Sequence, residues 1–481
     1  MTPKVFTKDS ATRIEHFDTI TEVLRPFRTL VASSNNTGQA TTVLALKKFA
    51  QVSGAIYGLG VDASATTYGA IYKWNQSSFG WEDKNAFTTA STSPKAMLLS
   101  HAGFLYGIHS YSSTIHIWRY NPASPTYVEN FYNTTLSAVV NGFADPIVHS
   151  KDGVAYIPID NVIYKIGSTG ASPASVALTL PNANFRITSI CESGNFINIV
   201  GYDVKSGESA SLVWDRDTSV VDLTETFGLG TDFAIHNANL LGTQFFIQLR
   251  QNSSNSDFGE KPVIIIKYLN GNIPTPLYEF PVESISAVTD LVGSKYLSLD
   301  RLYFTALVKL TGESAARNVC FCLDYKGRLT IAQNVAVDTG TLALSGVIRD
   351  GEAFWFGGSG DGAWNTTTTY TTVASYETND IRSDDLFMNI DFQTAVITCE
   401  PLPASGQILL KARKNEETTF TTIGTYTGTN KTKFKVNAMK AKNALAGLDK
   451  AKQVRLRLES TVGAVITGFQ AVFNDVKDLD A

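Results

Sequence analysis

Apolar and polar positions alternate along this chain in short runs that come in pairs. Gly54-Ala55-Ile56-Tyr57-Gly58-Leu59 is one run, and after a Ser/Thr/Ala-rich turn Ala70-Ile71-Tyr72-Lys73-Trp74 is its partner. Alternation of β-branched and aromatic residues with period two, opened by glycine, predicts a two-stranded hairpin. Gly103-Phe104-Leu105-Tyr106-Gly107-Ile108 and Ile115-His116-Ile117-Trp118-Arg119-Tyr120 repeat it. Weaker copies open at Gly153, Gly194, Gln244, Arg301 and Gly351, so successive openings lie 49, 50, 41, 50, 57 and 50 residues apart. Seven copies at that spacing match the blade period of a β-propeller, each blade a four-stranded antiparallel sheet.

Further alternating segments sit between the hairpins. Those at 96–100, 185–190, 231–235 and 285–288 are placed to be the innermost strand of a blade, and 126–131 an outer one. Trp74, Trp118, Trp214, Phe321 and Tyr376 fall near equivalent third-strand positions, where large aromatics fill the widening space between blades. Ahead of the first hairpin, residues 29–33 and 42–49 read as strands. The second is expected either to complete the last blade, removing an exposed sheet edge, or to be an outer strand before the first repeat.

The pattern changes near residue 380. Residues 386–481 hold none of the six tryptophans and carry 13 Lys/Arg against 9 Asp/Glu, near +4, whereas the rest carries 27 against 35, near -8. Alternation returns at 386–392, 407–413, 420–423, 433–436, 454–458 and 466–473. Short strands with glycine turns predict a small β-sandwich, with Ala/Lys-rich 438–450 as a helical turn or ordered loop. The expected fold is all-β: a seven-bladed β-propeller followed by a small β-sandwich domain. Residues 1–49 are the lead-in, with strands available to close the propeller; 50–385 are the propeller and 386–481 the sandwich.

Composition narrows the function classes. A net charge of -4 on 481 residues lacks the dense basic face of a nucleic-acid binder. Cys191, Cys320, Cys322 and Cys399 are too few and scattered for a disulfide scaffold, and Cys320 and Cys322 share one face of a strand as core thiols. The first nine residues lack a signal-peptide apolar core, and no apolar run is long enough for a membrane span. Synthesis in a cytoplasm is expected.

No cofactor or metal is expected. Asp145, Asp232, Asp290 and Asp350 lie near strand starts, but acids there more commonly cap turns than catalyse. No Gly-x-Ser-x-Gly elbow or His-Glu-x-x-His site occurs. Of the histidines His16, His101, His109, His116, His149 and His236, three cluster at 101–116; hydrogen-bonded roles are expected for them ahead of metal binding. The chain is not expected to be an enzyme. The Gly/Thr-rich stretch 357–369 reads as a loop, and Asp361, Trp364 and Asn365 on it are the candidate ligand or partner contacts.

The hairpins at 54–74 and 103–120 resemble the propeller segments of structural proteins of tailed phages. The C-terminal run resembles β-sandwich modules of such virion proteins, which carry a Phe-Glu-Pro-Leu … Leu-Gly-Thr-Tyr-Thr-Gly … Arg-Leu pattern. Here it reads Asp391-Phe392, Glu400-Pro401-Leu402, Gly424-Thr425-Tyr426-Thr427-Gly428, Gln453-Val454-Arg455-Leu456-Arg457 and Gly468-Phe469. Cys399 departs from it, standing where the family tends to place an aromatic or apolar residue. The resemblance implies a tail, nozzle or fibre-associated virion component, assembled in the host cytoplasm. Its partners would be copies of itself and other virion proteins, with a host-surface glycan or receptor as an alternative ligand. It implies no catalytic residues; a propeller-fold polysaccharide hydrolase is the remaining alternative.

Overall fold

The computed structural model describes residues 4–7, 11–15, 17–18, 24–32, 45–61, 69–78, 80–86, 97–111, 114–135, 144–217, 222–227, 233–241, 244–251, 261–268, 275–282, 295–298, 301–308, 317–335, 344–358, 363–370, 373–383 and 388–477. Among these residues it is all-β with one short helix, Ala438–Ala444. Six antiparallel four-strand meanders follow one another at 45–86, 97–135, 147–179, 185–227, 233–282 and 295–335. A seventh takes three strands from 344–370 and its fourth, Arg28–Ala32, from the N-terminal segment. First strands pack together between the first and second, third and fourth, fourth and fifth, and sixth and seventh meanders, and Leu344–Asp350 of the seventh lies against Ala45–Val52 of the first.

Local chemistry explains the hairpins. In the first two meanders, two residues join the first and second strands: Ser53 and Gly54, then Ala102 and Gly103, all at positive φ. That is the mirror-image turn whose twist matches the flanking strands, and glycine adopts it without Cβ strain. The second glycine of the hairpin has a different cause. Gly107 stands opposite Trp118, and a Cβ there would come within 2.0 Å of the indole. Trp118 lies flat in that space, fully buried. Trp74, Trp214 and Phe321 occupy third strands likewise and are buried, as their spacing suggested.

Several expectations are corrected. The described part of 42–49 neither closes the last meander nor flanks the first; Ala45–Val52 is the first meander's own first strand. Closure falls to Arg28–Ala32, which alternation alone could not distinguish from its neighbour. Tyr376 lies in Ala374–Thr378, outside the meanders, paired with Gln453–Thr461. The stretch 357–369 is largely not a loop, because Ala363–Tyr370 is a strand paired on both sides. The expected inner strand at 285–288 and the acids Asp232 and Asp290 lie outside the described residues.

Beyond the meanders, two sheets enclose one core. One has the order Lys4–Thr7, Ile466–Lys477, Met388–Cys399, Lys433–Asn437. The other continues the sixth meander through Ala11–Glu15 to Ala374–Thr378, Gln453–Thr461, Gln407–Lys414 and Thr421–Thr427. Phe392, Ile397, Val436 and Phe473 of the first meet Tyr376, Ile408, Leu410, Leu456 and Leu458 of the second, all essentially dry. The helix packs beside Thr421–Thr427 and Lys433–Asn437, with Asn437 capping it by accepting the Lys440 N–H. Thus the unit expected at 386–481 also recruits strands from before residue 386 and from the N-terminal segment.

Candidate functional site

Among the described residues, two seams between meanders are built from equivalent parts of successive repeats. In each, a histidine at the end of a first strand reaches toward the loop between the third and fourth strands of the next meander. Between the second and third meanders this is His101, whose Nε2 donates to the Gly167 carbonyl at 2.8 Å. Beside it the buried Tyr106 hydroxyl donates to the Gly170 carbonyl at 2.8 Å, and Arg119 Nη1 donates to the same oxygen at 3.0 Å. The Arg119 guanidinium lies over the Phe104 and Phe131 rings, 4.8 and 4.4 Å from their centres. Gly170 has φ +65°, and a Cβ there would meet the Tyr106 hydroxyl at 2.4 Å. Burial pushes the Tyr106 phenol up, so it stays a donor.

Between the third and fourth meanders the seam is ionic. His149 is completely buried. Its Nδ1 stands 3.3 Å from Arg216 Nη1 and 3.5 Å from Asp152 Oδ1, and its Nε2 is 4.0 Å from Glu192 Oε1. Arg216 also binds Asp152 Oδ2 and donates through Nε to the Asn195 carbonyl at 2.8 Å. It does so from φ 75°, a left-handed conformation uncommon for arginine and held here by three partners.

The carboxylates are occupied. Burial alone would raise the Asp152 carboxyl, but the Val154 N–H, the Tyr156 hydroxyl and the neighbouring His149 and Arg216 outweigh it and hold it below the usual range. Tyr156 is pushed up to about 12 by burial and by the Asp152 charge. Glu192 accepts from the Ser150 N–H at 2.9 Å and from the Ser150 hydroxyl. An anion with its lone pairs so engaged is a poor proton shuttle. The arrangement suits cross-linking of two sheets, and the sequence signalled only His149, as one of the six histidines, and the hairpin opening at Gly153; Arg216 and Glu192 carried no mark.

The residues singled out from sequence do not converge. Asn365 is buried in strand Ala363–Tyr370, opposite Trp355 and Val31, so it is not a loop contact. Trp364 is in the same strand, opposite Phe356, and Asp361 lies outside the described residues. Asp145 is engaged by Lys48 at 2.8 Å, and Asp350 is exposed at a turn. His116 meets the side-chain oxygens of Asn130 and Asn133 at 2.7 and 2.9 Å. Cys320 and Cys322 are buried in one core cluster, with burial pushing the Cys320 thiol up. Among the described residues no group of three or more His, Cys, Asp or Glu side chains is placed to hold a metal ion, and no helix is long and apolar enough to cross a membrane.

No protein family matches the sequence, and no curated protein matches it. Solved structures similar to it include BamB from Moraxella catarrhalis, at 11% identity over 75% of this chain and 95% of that one, TM-score 0.37. U3-55K is similar at 10% identity over 70% and 98%, TM-score 0.43. YCF48 bound to D1 peptide is similar at 10% identity over 75% and 99%, TM-score 0.43.

Proposed function

We propose that the seven meanders close into a seven-bladed β-propeller, that the C-terminal two-sheet unit is a β-sandwich, and that the chain is a structural component of a phage-like virion, a tail or tail-associated assembly protein. The observation that carries this reading is the use of the N-terminal segment. Lys4–Thr7 covers an edge of one C-terminal sheet, Ala11–Glu15 joins the sixth meander to the other, and Arg28–Ala32 completes the seventh meander. One short segment thereby ties both parts together and covers sheet edges that would otherwise pair with other chains. A part that must pack beside copies of itself without fusing to them needs that property. Surfaces rich in Thr, Ser and Asn, with only 17% charged residues overall, lose little side-chain entropy when buried between subunits.

The resemblance of 391–469 to virion sandwich modules supports the same role, with other virion proteins and further copies of this chain as partners. The alternative of a receptor- or glycan-binding virion protein retains Trp364 and Asp361 as its contacts, Asn365 being buried. Quantitative mass spectrometry of particles purified from the source culture tests the proposal. The protein is expected at a fixed ratio to the other virion proteins. Its absence from washed, nuclease-treated particles overturns the reading.

A further inference from the structure

Residues 24–32 are held by parts of the chain far from them in sequence. Leu24 and Phe27, only three positions apart, enter two different cores: Leu24 the C-terminal one, Phe27 the one between the sixth and seventh meanders. Leu24 exchanges both backbone hydrogen bonds with Ile466, at 2.8 and 3.0 Å. The Phe27 ring meets Phe354 edge-on, 5.3 Å between centres, with the Arg349 guanidinium over it. The buried Gln333 amide donates to the Arg28 carbonyl at 3.0 Å. At the surface Arg25 pairs with Glu400 at 3.2 Å and Arg28 with Glu352 at 2.8 Å. Arg28–Ala32 then adds to the edge of Ala363–Tyr370.

Each of these bonding partners lies 305 or more residues after its mate. A growing chain therefore presents the segment long before its own acceptor exists, and neighbouring copies compete for it. Twelve residues, 33–44, join the segment to the first meander. Within one molecule they cross three strand spacings of the seventh meander and one sheet spacing to the first, roughly 25 Å. An extended connection of that length reaches roughly 40 Å, which leaves room to serve a neighbour. We propose that copies of this chain exchange residues 24–32, so that Leu24 and Phe27 of one copy seat in the two cores of another. The contacts are the same within and between chains, so concentration sets the balance. A tethered strand meets its own acceptor at a roughly millimolar effective concentration, so dilute protein keeps its segment and copies packed side by side trade it. Exchange therefore rests on the assembly role above, which supplies that packing.

Cross-linking between two differently tagged full chains tests this, one carrying Arg25→Cys and the other Glu400→Cys. The two positions meet at the surface, and the four native cysteines are buried. The forms are co-expressed, concentrated, then diluted immediately before a short bismaleimide is added, so that chance encounters do not count. A product joining both tags is expected, and its share should rise with the concentration reached before dilution. The double variant Arg25→Cys/Glu400→Cys, kept dilute throughout, is expected to link within one chain, which checks the geometry. Adding Arg28→Glu to one form and Glu352→Arg to the other sets like charges together within each chain and opposite charges together between chains. That change should raise the joined product about threefold. All four substitutions lie at the surface, and circular dichroism checks that each form is folded. Absence of the joined product at every concentration overturns the proposal, and so does product that the charge pair leaves unchanged. Particles that contain the protein, alongside a mixture that gives no joined product, remove the exchange and leave the virion role standing.

Discussion

The two seams flanking the third meander solve one packing problem in different currencies. Both join a histidine-ended first strand to the following meander's outer loop. The earlier seam aims Tyr106, Arg119 and His101 at the backbone carbonyls of Gly167 and Gly170, beneath a roof of aromatic rings. The later seam uses four ionisable side chains, His149, Asp152, Glu192 and Arg216. Backbone carbonyls do not titrate and aromatic faces are little affected by salt, so the first seam should hold across conditions. The second depends on charges that acid removes. Equivalent positions in successive meanders thus form a permanent joint in one place and a conditional one in the other.

The sharpest way to break the contrast is at the earlier seam. Tyr106→Ala removes a fully buried ring together with its hydrogen bond and is expected to cost about 3–5 kcal/mol, read by urea denaturation. A loss below about 1 kcal/mol would show that this seam is not a principal joint. Next comes Arg216→Ala, which leaves Asp152 short of a cationic partner and should cost about 1–3 kcal/mol, with a loss that shrinks at high salt. The same salt dependence for Arg119→Ala would erase the distinction. His101→Phe gives up one hydrogen bond to Gly167 and should cost about 0.5–1.5 kcal/mol.

The smallest and most specific effect is on pH. The folded Asp152 carboxyl lies below its unfolded value, so its contribution is complete above the unfolded range and is lost as pH falls through the folded one. Tyr156 is shifted the other way. Its contribution is present below the ordinary tyrosine range, near about 10, and is lost as pH rises through about 12. Thermal melts of wild type and Asp152→Asn should therefore diverge least at acid pH and most near neutrality. Parallel curves would remove Asp152 as the titrating element of this seam.

How much of this could be read in advance depends on range. Each second strand of the seven meanders starts within two residues of its expected opening, from Ala55–Val61 to Ala353–Gly358, because a hairpin turn is decided by neighbouring residues. The third-strand tryptophans were legible for the same reason: Trp118 needs its glycine directly across the strand. The partners of the seams were not legible, since Arg216 meets His149 across 67 residues and no periodicity encodes that distance.

Alternation along the chain determined the strands, their pairing into local hairpins and the burial of alternate aromatics, because the strand's two-residue period and the turn's backbone angles act over a few residues. Only the tertiary structure decided that Arg28–Ala32 completes the seventh meander, that Tyr376 belongs to the C-terminal core, and that Asn365 is enclosed. Those outcomes turn on which sheet edge a segment finds, and hydrogen-bonded edges present the same N–H and C=O groups whichever strand arrives.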